Sequence, residues 1–260
     1  MVYGVMGYKT HAKMLLFVRR IGNSLKRYAH LGTGNYHRKN SLLYTDYSLL
    51  TSDEVVCADV HKVFQQITGM GKKIHPNLLI HAPFNLRKSL LKMINAERDA
   101  ALAGKKARIV AKMNAITDPD IIKALYSASM AGVKIDLIIR GICCLRPGMA
   151  GVSENIRVIS VIGSFLEHSR VYSFKNSDPQ VYCAMADCME LNLNNRIEVS
   201  FPILKKKHIS RVKAELEMYL NDRCQSWELN STGEYRSLEN SSPSEESLED
   251  VQMLLLKQLS

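Results

Sequence analysis

Residues 10–17 read Thr10-His11-Ala12-Lys13-Met14-Leu15-Leu16-Phe17, and residues 167–174 read Glu167-His168-Ser169-Arg170-Val171-Tyr172-Ser173-Phe174. Each is a histidine, one spacer, a cation, and then an apolar run of the kind a buried strand carries. Side chains two apart on a strand share a face, so the pattern predicts that His11 sits beside Lys13 and His168 beside Arg170. An imidazole next to a fixed positive charge, offered twice, suits a site that handles phosphate.

The repeat extends beyond the histidines. Gly32-Thr33-Gly34-Asn35-Tyr36 and Leu43-Tyr44-Thr45-Asp46 follow the first copy; Met185-Ala186-Asp187-Cys188-Met189 and Arg196-Ile197-Glu198-Val199 follow the second. The step from Asn35 to Asp46 equals that from Asp187 to Glu198. Chance rarely repeats both a polar type and a gap, so the chain is read as two related cassettes. Asp46 and Glu198, in matched positions, become candidates to orient a histidine.

The 260 residues carry a net charge of +10, unevenly spread. Residues 221–260 hold eight acids and three bases, which leaves +15 on residues 1–220. Such a body attracts polyanions: polyphosphate, nucleic acid or an anionic membrane surface. No apolar run is long enough to span a bilayer and no signal peptide precedes the first cassette. Six cysteines without C-x-x-C or zinc spacing point to reduced thiols and a cytoplasmic protein.

Three segments are expected. Residues 1–76 hold the first cassette, with a strand at 42–49 and a helix opened by the capping-box spacing of Thr51-Ser52-Asp53-Glu54 and ended at Gly69 and Gly71. A linker covers 72–76. Residues 77–224 alternate strand and helix: a helix after Asn85 stopped at Gly104, a strand at 107–113, a helix opened by Asp118-Pro119 and stopped at Gly132, and a strand at 133–139. This is a parallel β-α-β unit, followed by strands at 157–162, 169–174, 181–184 and 196–202 and a helix near 206–221. Residues 225–260 read as an acidic, serine-rich, poorly ordered tail around 240–246, with a last short helix at 251–259 and no chemistry.

The two H-x-[KR] cassettes resemble the phospholipase D superfamily. Within it, Tyr28-Ala29-His30-Leu31-Gly32-Thr33-Gly34-Asn35-Tyr36, Leu43-Tyr44-Thr45-Asp46, Ala82-Pro83-Phe84-Asn85, the stretch from Ile138 to Pro147 and Phe165-Leu166-Glu167-His168-Ser169-Arg170 resemble polyphosphate kinases of the first type, over residues 3 to about 228. His37 and Arg38 stand where that family continues with asparagine and proline. The resemblance implies an α/β fold of two phospholipase D-like domains (mixed sheets flanked by helices), the first incomplete, with both histidines at their interface. It implies reversible transfer of the terminal phosphate of ATP to polyphosphate through a phosphohistidine, with ATP, ADP, polyphosphate and Mg2+ as partners.

By motif, His11 would be the nucleophile and His168 the second active-site histidine, while Tyr44 and Arg140 would contact the nucleotide. Lys13, Arg170 and Asn35 are expected to bind phosphate, and Lys112, Arg146 and Arg157 are candidates to line a polyphosphate path. His30 abuts the glycine loop and is read mainly as a packing histidine. No metal ligand is assigned, because the family's magnesium-site arginines would lie upstream of this chain. The family enzyme is longer, so either a homo-oligomer or association with a missing N-terminal portion is expected; specific nucleic-acid binding is not, and peripheral membrane association stays open. Two further readings remain open: a phospholipase D-type phosphodiesterase, and an inactive truncated chain that binds polyanions.

Overall fold

A computed structural model describes residues 4–69, 76–239 and 250–259. The expected linker at 72–75, Gly71 and the serine-rich stretch at 240–246 lie outside the described residues. The alternating pattern of the middle segment builds the main sheet. Strands β7 (Arg108–Met113), β8 (Lys134–Ile139) and β9 (Ile156–Val161) are parallel, with helix α4 (Pro119–Met130) joining β7 to β8. Strands β11 (Arg170–Phe174), β12 (Val181–Ala184) and β13 (Arg196–Pro202) then return as an antiparallel meander, β11 pairing with β7. β6 (Ile80–Ala82) pairs with β13, and β1 (Lys9–Thr10) with the beginning of β13.

Alternation along these strands gives the sheet two apolar faces. Ile109, Ala111, Met113, Ile135, Leu137 and Ile139 meet α4 and α3 (Leu86–Leu102) in one buried cluster. Val110, Ile138, Ile159, Val161 and Val171 join Val212, Leu216 and Tyr219 of α6 (Lys206–Asn221) in the other. The second cluster also takes in Met14, Ala29, Leu31, Val56 and Val60 from the first cassette. The first segment is therefore welded to the far face of the main sheet. Burying each large aliphatic side chain contributes about 2 kcal/mol, so this shared cluster is a substantial part of what holds the cassettes in register.

Local signals set the helix ends. Asp118 accepts hydrogen bonds from the amides of Asp120 and Ile121 at 3.1 and 3.0 Å, with Pro119 following. The carboxylate of Asp53, rather than Thr51, caps α2 (Glu54–Ile67) by accepting from Val55 and Val56. Asn85 occupies the cap position of α3, but its side chain accepts from the His81 amide instead. Gly104 and Gly132 end their helices at φ of 74° and 90°, where a side chain would be strained.

Three expectations are corrected. The apolar run after His11 is strand β2 (Met14–Ile21), which is not buried like β11. It forms a sheet with β3 (Ser24–Gly32) and β5 (Ser48–Thr51), and α2 covers one face only, leaving Leu15 and Phe17 exposed. An apolar run cannot report which of its faces is covered. The stretch 42–49 is the end of a short helix, α1 (Arg38–Leu43), then β4 (Tyr44–Thr45) and the start of β5. Within the expected tail, β14 (Ser226–Leu229) pairs with β9 and β15 (Tyr235–Ser237) pairs with β14, so the sheet continues past residue 224. Helix α7 (Val251–Leu259) forms where expected and packs on α6 through Val251 and Leu255. Acidic composition had hidden the alternation of Ser226, Trp227, Glu228 and Leu229. No described helix is long and apolar enough to cross a membrane.

Candidate active site

The two cassettes meet by two matched parallel strand pairs. In the first, Thr10 of β1 pairs with Ile197 of β13, which sets His11 opposite Glu198. In the second, Glu167 of β10 (Leu166–Glu167) pairs with Thr45 of β4, which sets His168 opposite Asp46. The outcome is an exchange. His11 Nδ1 bonds the Glu198 carboxylate at 2.9 Å, and His168 Nδ1 bonds Asp46 Oδ1 at 2.8 Å. Each histidine is oriented by the acid of the other cassette.

Neither histidine lies in a strand; both sit in extended links just before one. The expected same-face alternation is replaced by a tighter arrangement, repeated in both cassettes. Lys13 Nζ donates to the His11 carbonyl at 2.7 Å, and Arg170 donates to the His168 carbonyl at 2.5 Å. A cation fixed on the carbonyl of its own histidine stays beside the imidazole without depending on strand geometry.

The surroundings divide the roles of the acids. Glu198 is fully buried and also accepts from Asn192 at 3.2 Å. Asp46 accepts from the Thr33 hydroxyl at 2.9 Å. A Cβ on Gly34 would stand 2.4 Å from Asp46 Oδ2, so only glycine lets that carboxylate reach His168. Asp187 clamps Arg170 with two bonds, at 2.9 and 3.1 Å, and accepts from the amides of Asn114 and Ala115. Asn35, its counterpart by spacing, makes no side-chain hydrogen bond among the described residues and is half-buried next to the glycine loop.

Arg140 directly follows β8, and its guanidinium donates to Asn114 Oδ1. Tyr44 packs its ring against His168 with centroids 4.9 Å apart. Burial holds the Lys13 ammonium below the ordinary lysine range; Glu198 opposes this, while Arg170, Arg196 and Lys9 add to it. Burial also depresses Arg140, reinforced by Arg170. Burial works against the charge of Arg170 too, but Asp187 more than reverses it. Arg170 thus disfavours the charges of both Lys13 and Arg140, and the junction gathers three cations that an anion would relieve.

The remaining candidates fall elsewhere. Lys112 is buried, paired with Glu167 at 2.7 Å and with the Ser169 hydroxyl at 2.6 Å, and so lines no open path. Arg157 is paired with Glu228, and Arg146 donates to the Ser231 carbonyl at the opposite edge of the sheet. His30 bonds Tyr36 and Ser48 on the outer face of β3. A cavity of about 710 Å³ opens behind Tyr44, but Arg211 is the one arginine or lysine among its lining residues and is engaged by Glu215, so it suits no phosphate chain. Sequence reasoning missed Asn114, Thr33 and Asn192. Asn114 was the most accessible of these, because it follows the carboxyl end of β7, where open α/β sheets place ligand-binding groups.

An α/β fold built from two joined cassettes, with paired histidines at the junction, defines the phospholipase D-like class. Comparison with known proteins narrows this. Residues 79–249 match the model of polyphosphate kinase C-terminal domain 2, and residues 1–73 that of polyphosphate kinase C-terminal domain 1. The polyphosphate kinase of Pseudomonas aeruginosa is 57% identical over 238 residues, 91% of this chain and 34% of the relative. That of Pseudomonas putida is 53% identical over all 260 residues, 36% of its own length. The crystal structure of polyphosphate kinase from Porphyromonas gingivalis superposes with a TM-score of 0.89 at 33% identity, covering 98% of this chain and 39% of that one. The chain belongs to the polyphosphate kinase family, and it spans about a third of the length of the relatives it matches.

Proposed function

We propose that this chain carries the phosphoryl-transfer half-site of an ATP:polyphosphate phosphotransferase, with His11 as nucleophile and His168 as its acid–base and phosphate-binding partner. The carboxylate exchange between the cassettes is the observation that carries this reading. Glu198 accepts the Nδ1–H of His11 in a hydrogen bond, which fixes the tautomer and leaves the Nε2 lone pair free to attack. In the forward step Nε2 bonds the terminal phosphorus of ATP, the bond from that phosphorus to the bridging oxygen breaks, and ADP leaves with the electron pair. A terminal oxygen of polyphosphate then attacks the phosphohistidine, the P–N bond breaks, and His11 is restored.

His168, held through Nδ1 by Asp46, presents Nε2 to a phosphate oxygen and can carry its proton. Arg140, Lys13 and Arg170 supply a fixed positive field where the transferring group spreads its charge. Arg170 acts from behind, since Asp187 and the His168 carbonyl hold its guanidinium. Tyr44 offers a ring edge beside His168, and Asn35 with the Gly32–Gly34 loop offers a further phosphate contact. Magnesium belongs to the substrate as the partner of the ATP phosphates. The acids at the junction are each held by a histidine, cation, hydroxyl or amide, and no group of three or more metal-binding side chains occurs among the described residues.

The test is incubation of the full chain with γ-labelled ATP and magnesium. Wild type and His168→Ala are expected to take acid-labile, base-stable label, with His168→Ala requiring more ATP, and His11→Ala to take none. Label on His11→Ala equal to wild type removes the nucleophile assignment.

A further inference from the structure

Helix α7 lies beyond residue 249, where the family match ends, and nothing in the sequence assigned it chemistry. Its Gln252 is nonetheless only 2% exposed and fully engaged. The side-chain oxygen accepts from the Phe165 amide at 2.9 Å; the side-chain nitrogen donates to the Phe165 carbonyl at 2.8 Å and to Glu167 Oε1 at 2.6 Å. Gly163 makes the room, since a Cβ there would meet the Gln252 oxygen at 2.5 Å. The start of the helix is pinned independently, the Val251 amide donating to Asp222 at 3.1 Å.

Glu167 passes this anchorage on. Buried, it is shared by Gln252, Lys112 Nζ at 2.7 Å and the Thr45 hydroxyl at 2.8 Å. The Thr45 oxygen in turn accepts from the His168 amide at 3.3 Å, and the next residue, Asp46, holds the imidazole. We propose that Gln252 is a positioning residue for His168: by fixing Phe165 and Glu167 it sets the β10–β4 register that brings Asp46 to the ring. Only an amide can fill this place. A carboxylate would repel Glu167 and could not donate to the Phe165 carbonyl, whereas an apolar isostere would leave a buried amide and a carboxylate oxygen unpaired. The inference rests on the reading above only for its kinetic consequence.

The experiment uses the full chain with Gln252→Met, which keeps the volume, and Gln252→Ala beside it. Two readouts are taken: the ring resonances of the chain's eight histidines after isotope labelling, and the ATP dependence of label on His11. In Gln252→Met the His168 ring signal is expected to shift and broaden while that of His11 stays. The ATP concentration for half-maximal labelling is expected to rise about tenfold, with the label at saturation retained. If wild type takes no label, the ATP reading fails and the ring signal alone decides the positioning. An unmoved His168 signal, or all histidine signals moving together, overturns the inference.

Discussion

At the scale of single residues, the decisive property of this site is that neither cassette completes its own histidine. A buried carboxylate is stabilised only by strong partners, and Glu198 finds them in His11 and Asn192. Glu198→Gln preserves the shape and can still accept from His11 Nδ1, but it removes the charge that stabilises a developing imidazolium. Labelling of His11 is then expected to slow roughly 10- to 100-fold, with the fold kept. A pH effect accompanies this. Lys13 is already held below its ordinary value by burial, and Glu198 is the group that pulls it back up. Without that carboxylate Lys13 loses its proton at still lower pH, so the alkaline fall in labelling moves to lower pH than in wild type. Rapid-quench labelling across pH measures both, and wild-type rates with an unmoved alkaline limb would refute the assignment of Glu198.

At the scale of elements, the parts of the fold written in local chemistry were legible. Asp118-Pro119 with Gly132, and the alternating apolar residues of β7 and β8, specify a β-α-β unit without reference to anything distant. The parts set by long-range pairing were not. Spacing identified Asp46 and Glu198 as matched acids, but spacing along one chain cannot say that they trade histidines; only the parallel registers of β1 with β13 and β4 with β10 do. β14 was missed for the same reason, since Ser226–Leu229 is a strand because β9 offers it an edge. The loop after β3 gives an element-scale test. Gly34→Ala would drive a methyl into Asp46, so that carboxylate must leave His168. The expected outcome is a rise in the ATP needed for half-maximal labelling of roughly the size His168→Ala produces, with little change in melting temperature. Unchanged ATP dependence would mean that Asp46 is dispensable to His168.

At the scale of the whole molecule, charge decides how a long anion is held. Several acids of the body are buried against cations: Asp187 by Arg170, Glu167 by Lys112, Asp136 by Arg108, Asp118 by Arg87. The outside keeps an excess of cations, including Arg19, Arg20 and Lys26 on the β2–β3 hairpin and Lys205, Lys206 and Lys207 at the start of α6. Flexible exposed cations bind a polyanion chiefly by releasing its counterions, so affinity must fall linearly with salt on logarithmic axes. Long-chain polyphosphate is expected to lose at least about tenfold in affinity between 50 and 200 mM salt, the loss expected for even a few phosphate contacts. DNA of any sequence should bind with a similar slope and be displaced by polyphosphate, because contacts of surface cations to phosphates carry no base sequence. His11→Ala should leave the slope unchanged, since it removes none of these exposed cations. Fluorescence anisotropy with labelled polyphosphate and competing DNA measures this. A flat salt dependence, or DNA binding that polyphosphate cannot displace, would place the anion in a closed, specific pocket and remove the surface from the account.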